Sequence, residues 1–142
     1  MTNFVEFTIP VCPMSLQASG KRMMVRNGKP MFFKTKKATD YQKIVSLFSN
    51  PYRPDKPWDG PVCIQYIFIL PRPERLNNKK TPAKLIPCEK RPDLDNLIKG
   101  TQDALQGFWN DDSQICGLVA RKYYCEKNKS PRIIVGIYKV PA

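Results

Sequence analysis

The chain has no histidine among its 142 residues. That single absence removes the Ser-His-Asp triad, the Cys-His dyad, the H-E-x-x-H zinc site and the histidine general base. Any catalysis must run on carboxylates, Lys, Tyr or Cys, with a metal bound through oxygen. Acids are scarce as well: 12 Asp plus Glu stand against 24 Lys plus Arg, a net charge of +12. The five cysteines (Cys12, Cys63, Cys88, Cys116 and Cys125) are odd in number and never closer than nine positions. No C-x-x-C pair exists, so zinc and disulfide frameworks are both disfavoured. Reduced thiols, packed as small hydrophobes in a cytoplasmic protein, are the expectation. The longest apolar run, Cys63–Leu70, contains Gln65 and is far too short to cross a bilayer. The first residues, Met-Thr-Asn-Phe-Val-Glu, lack the basic and apolar regions of a signal peptide. A chain of this length with 42% hydrophobic residues reads as one folded domain with a real core and no membrane segment.

What is present is an uneven charge pattern. Residues 93–112 hold five acids (Asp93, Asp95, Asp103, Asp111 and Asp112) and one base, Lys99, a net −4. The other 122 residues hold 23 bases and 7 acids, a net +16. A basic surface suits a polyanion, because Lys and Arg neutralise phosphates and release counterions. Carboxylates within such a surface repel the same phosphates, and a divalent cation bound to them reverses the local sign.

Phe4–Ile9 alternates as a strand with Val5, Phe7 and Ile9 on one face. Lys21–Val25 and Met31–Lys34 flank Asn27-Gly28, a strong hairpin signal. Thr35 caps a helix whose apolar positions are Ala38, Tyr41, Ile44, Val45 and Phe48. Residues 50–61, with four prolines, form an irregular connector. Pro61–Leu70 reads as a central strand buried on both faces. Residues 71–92 carry five prolines, seven Lys or Arg and no apolar period, which marks a long, flexible basic loop. A second helix runs from about Asp95 to Gln106, burying Leu94, Leu97, Ile98, Thr101, Ala104 and Leu105, with Gly107 as its stop. Two late strands, about Ile115–Tyr124 and Arg132–Val140, complete an α+β domain: a small mixed β-sheet with two main helices packed on it.

Arg91-Pro92-Asp93-Leu94-Asp95-Asn96 is the chemical centre. If Asp93-Leu94-Asp95 is extended, both carboxylates point one way and Leu94 enters the core. In a helix the two would diverge. One Asp is explained as a helix N-cap; two are not. Lys99, four residues beyond Asp95, shares its helix face, either as a surface pair or as a cation assisting charge on a phosphate. Asp103 reads as a surface partner of Lys99. Asp111-Asp112 forms a second acidic point before the Ile115 strand. Phe108 and Trp109 fill the core or stack on bases. Three carboxylates from two segments, with no His or Cys, suit Mg²⁺ or Mn²⁺ acting on phosphates.

Lys90-Arg91-Pro92-Asp93-Leu94-Asp95-Asn96-Leu97-Ile98-Lys99, followed by Asp103-Ala104-Leu105 and Asp111-Asp112-Ser113-Gln114-Ile115, closely resembles the RusA family of Holliday junction resolvases. The resemblance implies Asp93, Asp95 and Asp112 as essential metal-binding carboxylates and Lys99 as an essential catalytic lysine. Asp111 would be a neighbour outside the primary ligands. Lys90, Arg91, Lys122 and the loop around Ser15 and Gln17 would contact DNA. It further implies a homodimer that nicks symmetrically related strands of a four-way junction. Two other classes stay open: a catalytically silent DNA-binding module of the same fold, and a metal enzyme acting on a nucleotide or small phosphate.

Overall fold

In the computed structural model, which describes residues 3–15 and 21–141, the chain forms a five-stranded mixed sheet, a separate hairpin and two helices. The strands are β1 (Phe4–Ile9), β2 (Lys21–Arg26), β3 (Lys29–Lys34), β4 (Val62–Leu70), β5 (Ile86–Pro87), β6 (Ile115–Tyr124) and β7 (Arg132–Lys139). The helices are α1 (Lys36–Ser49) and α2 (Leu94–Gln102). Sheet order is β1-β7-β4-β6-β5, with β2 and β3 forming the hairpin. Asn27 (φ 52°) and Gly28 (φ 76°) both lie in the left-handed region, as a tight two-residue hairpin turn requires. Thr35 caps α1, its hydroxyl accepting from the Ala38 amide at 3.3 Å.

β4 lies in the middle of the sheet, antiparallel to β7 and parallel to β6. A parallel neighbour requires a crossover, and the segment carrying α2 supplies it. Tyr41, Val45, Leu97, Ala104, Leu105 and Phe108 bury one sheet face, contributed by Phe7, Ile9, Val62, Ile64, Tyr66, Phe68, Ile133, Val135 and Ile137. Full burial of a side chain such as Leu97 stabilises the fold by about 1.5–3 kcal/mol. The expectation that β4 is buried on both faces is corrected here: Cys63 and Ile67 are half-buried and Gln65 is exposed. The helices cover one face only, so of the alternate β4 positions only Ile69, near the end of the strand, is fully buried. Phe4, Tyr138 and Val119 lie on that open face, 45%, 42% and 56% exposed.

α2 begins at Leu94, earlier than the sequence suggests, and ends at Gln102. The Arg91–Pro92 peptide that precedes it is cis. Residues 103–104 continue only as a turn, with Ala104 and the following Leu105 still buried. Residues 71–92 include a short 3₁₀ turn at Glu74–Leu76 and the edge strand β5. A small second core of Leu70, Cys88 and Tyr124, with Leu76 and Ile86 against it, lies beneath them. Cys88 and Cys125 are buried, but Cys12 and Cys116 are exposed, so only part of the cysteine set packs as core. No helix among the described residues is long and apolar enough to cross a membrane.

Candidate nucleic-acid and metal site

Asp93 occupies the N-cap position of α2, with extended backbone (φ −68°, ψ 141°), yet its side chain makes no capping hydrogen bond. Asp95 falls in the first helical turn and Lys99 in the last. A carboxylate at the positive end of a helix and an ammonium near its negative end both favour α2. All three side chains are exposed, while Leu97 and Thr101 on the opposite face are fully buried. The periodicity read from Leu94, Leu97, Ile98 and Thr101 is therefore the buried face, and it turns Asp95 and Lys99 outwards. The pairings suggested by spacing are absent: among the described residues the ion pairs involve only Glu126, with Lys129 and Arg132. Solvent screening leaves an exposed i, i+4 pair little reason to close.

The approach to Asp93 is fixed by Lys122 on β6. Its ammonium donates to the Lys90 carbonyl and, at 2.8 Å, to the Pro92 carbonyl. The structure thus commits half-buried Lys122 to the chain's own backbone, whereas Lys90 and Arg91 are exposed. Ser15 is half-buried at the edge of the described residues, and Gln17 lies outside them.

The second acidic point is a 3₁₀ turn at Asp112–Gln114 that leads straight into β6. The Asp111 carboxylate caps it, accepting from the Ser113 amide at 2.8 Å, and that bond holds the carboxyl below its ordinary range. Gln114 satisfies both ends of its amide. Its Oε1 accepts from the amides of Asn110 (2.7 Å) and Asp111 (2.8 Å). Its Nε2 donates to the carbonyls of Trp58 and Gly60, each at 2.8 Å. Asp112 is exposed, and its Oδ1 accepts from the Trp109 indole N–H at 2.9 Å. Trp109 and Phe108 are buried, which settles their choice between core and base stacking in favour of core.

Tyr66 reaches from β4 to the end of α2, and sequence patterning gave no sign of this beyond its place in an apolar strand. Its hydroxyl, inside the core, donates to Gln102 Oε1 at 3.2 Å at the end of α2. Burial pushes the phenol well above its ordinary range, and the negative charges of Asp112 and Asp103 push it further. The phenol therefore stays protonated and serves as a neutral donor to Gln102. A second buried link, Tyr41 Oη to Thr101 Oγ1 at 2.8 Å, ties α1 to the same end of α2.

Asp93, Asp95 and Asp112 are exposed and offer only hard oxygen donors, and that donor chemistry fits Mg²⁺ or Mn²⁺. The structure does not gather them into one coordination sphere: no three Cys, Asp or Glu side chains among the described residues converge to hold an ion.

The family model for endodeoxyribonuclease RusA matches residues 13–138. Over 145 residues the chain is 32% identical to uncharacterized protein YqaN of Bacillus subtilis (strain 168), covering 97% of this chain and 98% of that protein. It is 28% identical over 130 residues to the crossover junction endodeoxyribonuclease rusA of Lactococcus phage r1t, covering 87% and 90% respectively.

Proposed function

Because the chain belongs to the RusA endodeoxyribonuclease family, we propose that it is a divalent-metal-dependent, structure-selective nuclease that resolves four-way DNA junctions by paired symmetric nicks. The observation that carries this reading is the set of side chains the fold leaves uncommitted. Asp93 occupies a capping position without capping, and Asp95 and Lys99 face solvent from one helix side. All three stand in a chain of net charge +12. A module that only held DNA would gain nothing from carboxylates turned towards phosphates.

In this reading Asp93, Asp95 and Asp112 would be the residues that hold Mg²⁺ or Mn²⁺. Bound there, the ion would supply water activation and charge neutralisation at the phosphodiester. The chain's own residues do the rest. Lys99 neutralises part of the charge on the phosphate. Lys90 and Arg91, held in place through the Lys122 ammonium, fix the backbone of the scissile strand. Trp109 orients the Asp112 carboxylate through its indole N–H. The Gln114 amide keeps the turn that carries Asp112 closed.

Paired nicks at symmetric positions need two centres related by a two-fold axis, and each chain supplies one. We place the homodimer contact on the open sheet face, where Phe4, Val119 and Tyr138 stand exposed. Val119→Glu is expected to give a monomer by sedimentation and to convert paired incisions into uncoupled single nicks. A variant that remains dimeric refutes the placement.

The deciding assay incubates a labelled synthetic four-way junction and a matched linear duplex with the protein, in Mg²⁺ and in EDTA. Paired nicks near the branch point are expected with metal only. Asp95→Asn should slow them by at least about 10²–10³-fold, the cost of removing one group that stabilises developing charge, while junction binding persists. Nicking by Asp95→Asn at the wild-type rate refutes the mechanism. Binding without cleavage by the wild type in both Mg²⁺ and Mn²⁺ identifies a silent binding module instead.

A further inference from the structure

Residues 71–91 separate β4 from the Asp93 segment and carry seven Lys or Arg against two acids. Their interior is organised by Arg72. Its Nε donates to the Cys125 carbonyl at 2.8 Å, and its terminal nitrogens donate to the carbonyls of Leu76 (2.8 Å), Pro82 (2.8 Å) and Lys84 (2.5 Å). Lys127, from the turn after β6, adds its ammonium to the carbonyls of Asn78 (2.6 Å) and Thr81 (2.7 Å). Leu76 and Ile86 pack on Leu70, Cys88 and Tyr124 beneath. The segment is therefore a folded lobe with its own small core, pinned by Arg72 and Lys127 and by Arg75, which donates to the Tyr124 hydroxyl at 3.2 Å.

Three lysines of the lobe face solvent instead. Lys79, Lys80 and Lys84 are exposed, and none takes part in an ion pair among the described residues. The lobe ends at β5, and the Cys88 amide bonds to the Lys122 carbonyl, on the same residue whose ammonium fixes Lys90 and Pro92. It is thus coupled rigidly to the start of α2. Ordering cations before binding lowers the entropy lost on contact with a regular array of charges.

We propose that this lobe is a preformed arm that binds the phosphate backbone of a duplex flank beside the cleavage centre, through Lys79, Lys80 and Lys84. The proposal rests on the DNA-cleaving reading above and deepens it: the arm contributes affinity without reading sequence or branching.

The test measures binding by fluorescence anisotropy in EDTA, on a four-way junction and on a linear duplex, across a salt series. The triple variant Lys79→Ala, Lys80→Ala, Lys84→Ala is expected to bind both DNAs more weakly by the same factor. Its plot of log K against log salt should be shallower by about 2–3, since each phosphate contact accounts for about 0.9. Arg72→Ala removes no outward charge from the arm, yet should lose comparable affinity by releasing four carbonyls and loosening the lobe. Unchanged affinity and slope in the triple variant refute the arm while leaving the nuclease reading intact, as does a loss confined to the junction. A wild type that binds neither DNA refutes the nuclease reading and the arm together.

Discussion

Replacing Gln114 by Ala should unlatch the turn that carries Asp112. The side chain makes four hydrogen bonds, two accepted from the amides of Asn110 and Asp111 and two donated to the carbonyls of Trp58 and Gly60. A typical intramolecular hydrogen bond contributes a net ~0.5–1.5 kcal/mol. Several of these partners are solvent-accessible, and water takes over part of the loss, so a net cost of about 2–3 kcal/mol is expected. For a domain near this size that lowers Tm by about 5–10 °C. Urea unfolding followed by tryptophan fluorescence suits the measurement, because the chain's two tryptophans, Trp58 and Trp109, both adjoin the latch. Gln114→Glu sharpens the test. It retains the acceptor oxygens but aims a carboxylate at two carbonyl oxygens, so it should be no more stable than the Ala variant at neutral pH. Protonation restores one donor, and that variant should therefore regain stability as pH falls. An Ala variant within about 0.5 kcal/mol of wild type, inside the usual range for inert surface substitutions, refutes the latch. So does a Glu variant as stable as wild type at neutral pH.

Trp109→Phe keeps the buried aromatic ring but removes the N–H that Asp112 Oδ1 accepts. It should cost about 1–2 kcal/mol and raise the Mg²⁺ concentration needed for half-maximal cleavage more than it changes junction affinity in EDTA. Glu126 is paired end-on with Arg132, at 3.1 and 2.9 Å, and this bonding lowers its pKa from 4.5 to about 2. A depressed carboxylate pKa stabilises the native state fully above the ordinary value and loses that contribution as pH falls towards about 2. Glu126→Gln should flatten the pH dependence of the urea midpoint across that window, and an unchanged profile refutes the assignment.

Much of the framework was legible because it follows local rules. Asn27-Gly28 supplies the two left-handed residues of the hairpin turn, and Thr35 has the hydroxyl that caps α1. The buried face of α2 is visible as a 3.6-residue period. Strand order was not legible in this way. β4 lies between β7 and β6, partners far apart in sequence, and no local pattern reports which edges meet. The open face of β4 was misread for a related reason: a run of apolar residues looks the same under two helical layers as under one. The lobe was illegible for another. It is held by side-chain donors on backbone carbonyls, and every residue has a carbonyl, so Arg72 and Lys127 leave no mark that separates them from Lys79 and Lys80.

The acidic island was legible as a unit but not in its division of labour. Asp93, Asp111 and Asp112 are one residue type, and each is adjacent to a helical turn. Structure separates them by what the backbone already uses. Asp111 is consumed in capping the amide of Ser113, and Asp112 is half-engaged by the Trp109 indole. Asp93 sits at a cap position and leaves the capping undone. A helix start that omits an available cap forgoes about 1 kcal/mol. That unused side chain is what the metal-ligand role proposed for Asp93 requires. The same comparison holds for the cations: Lys122, Arg72 and Lys127 are spent on carbonyls, while Lys99, Lys79, Lys80 and Lys84 face solvent. The net charge of +12 thus overstates what a nucleic acid meets in some places and understates it in others. The outward residues, and not the total, determine where a phosphate backbone can lie.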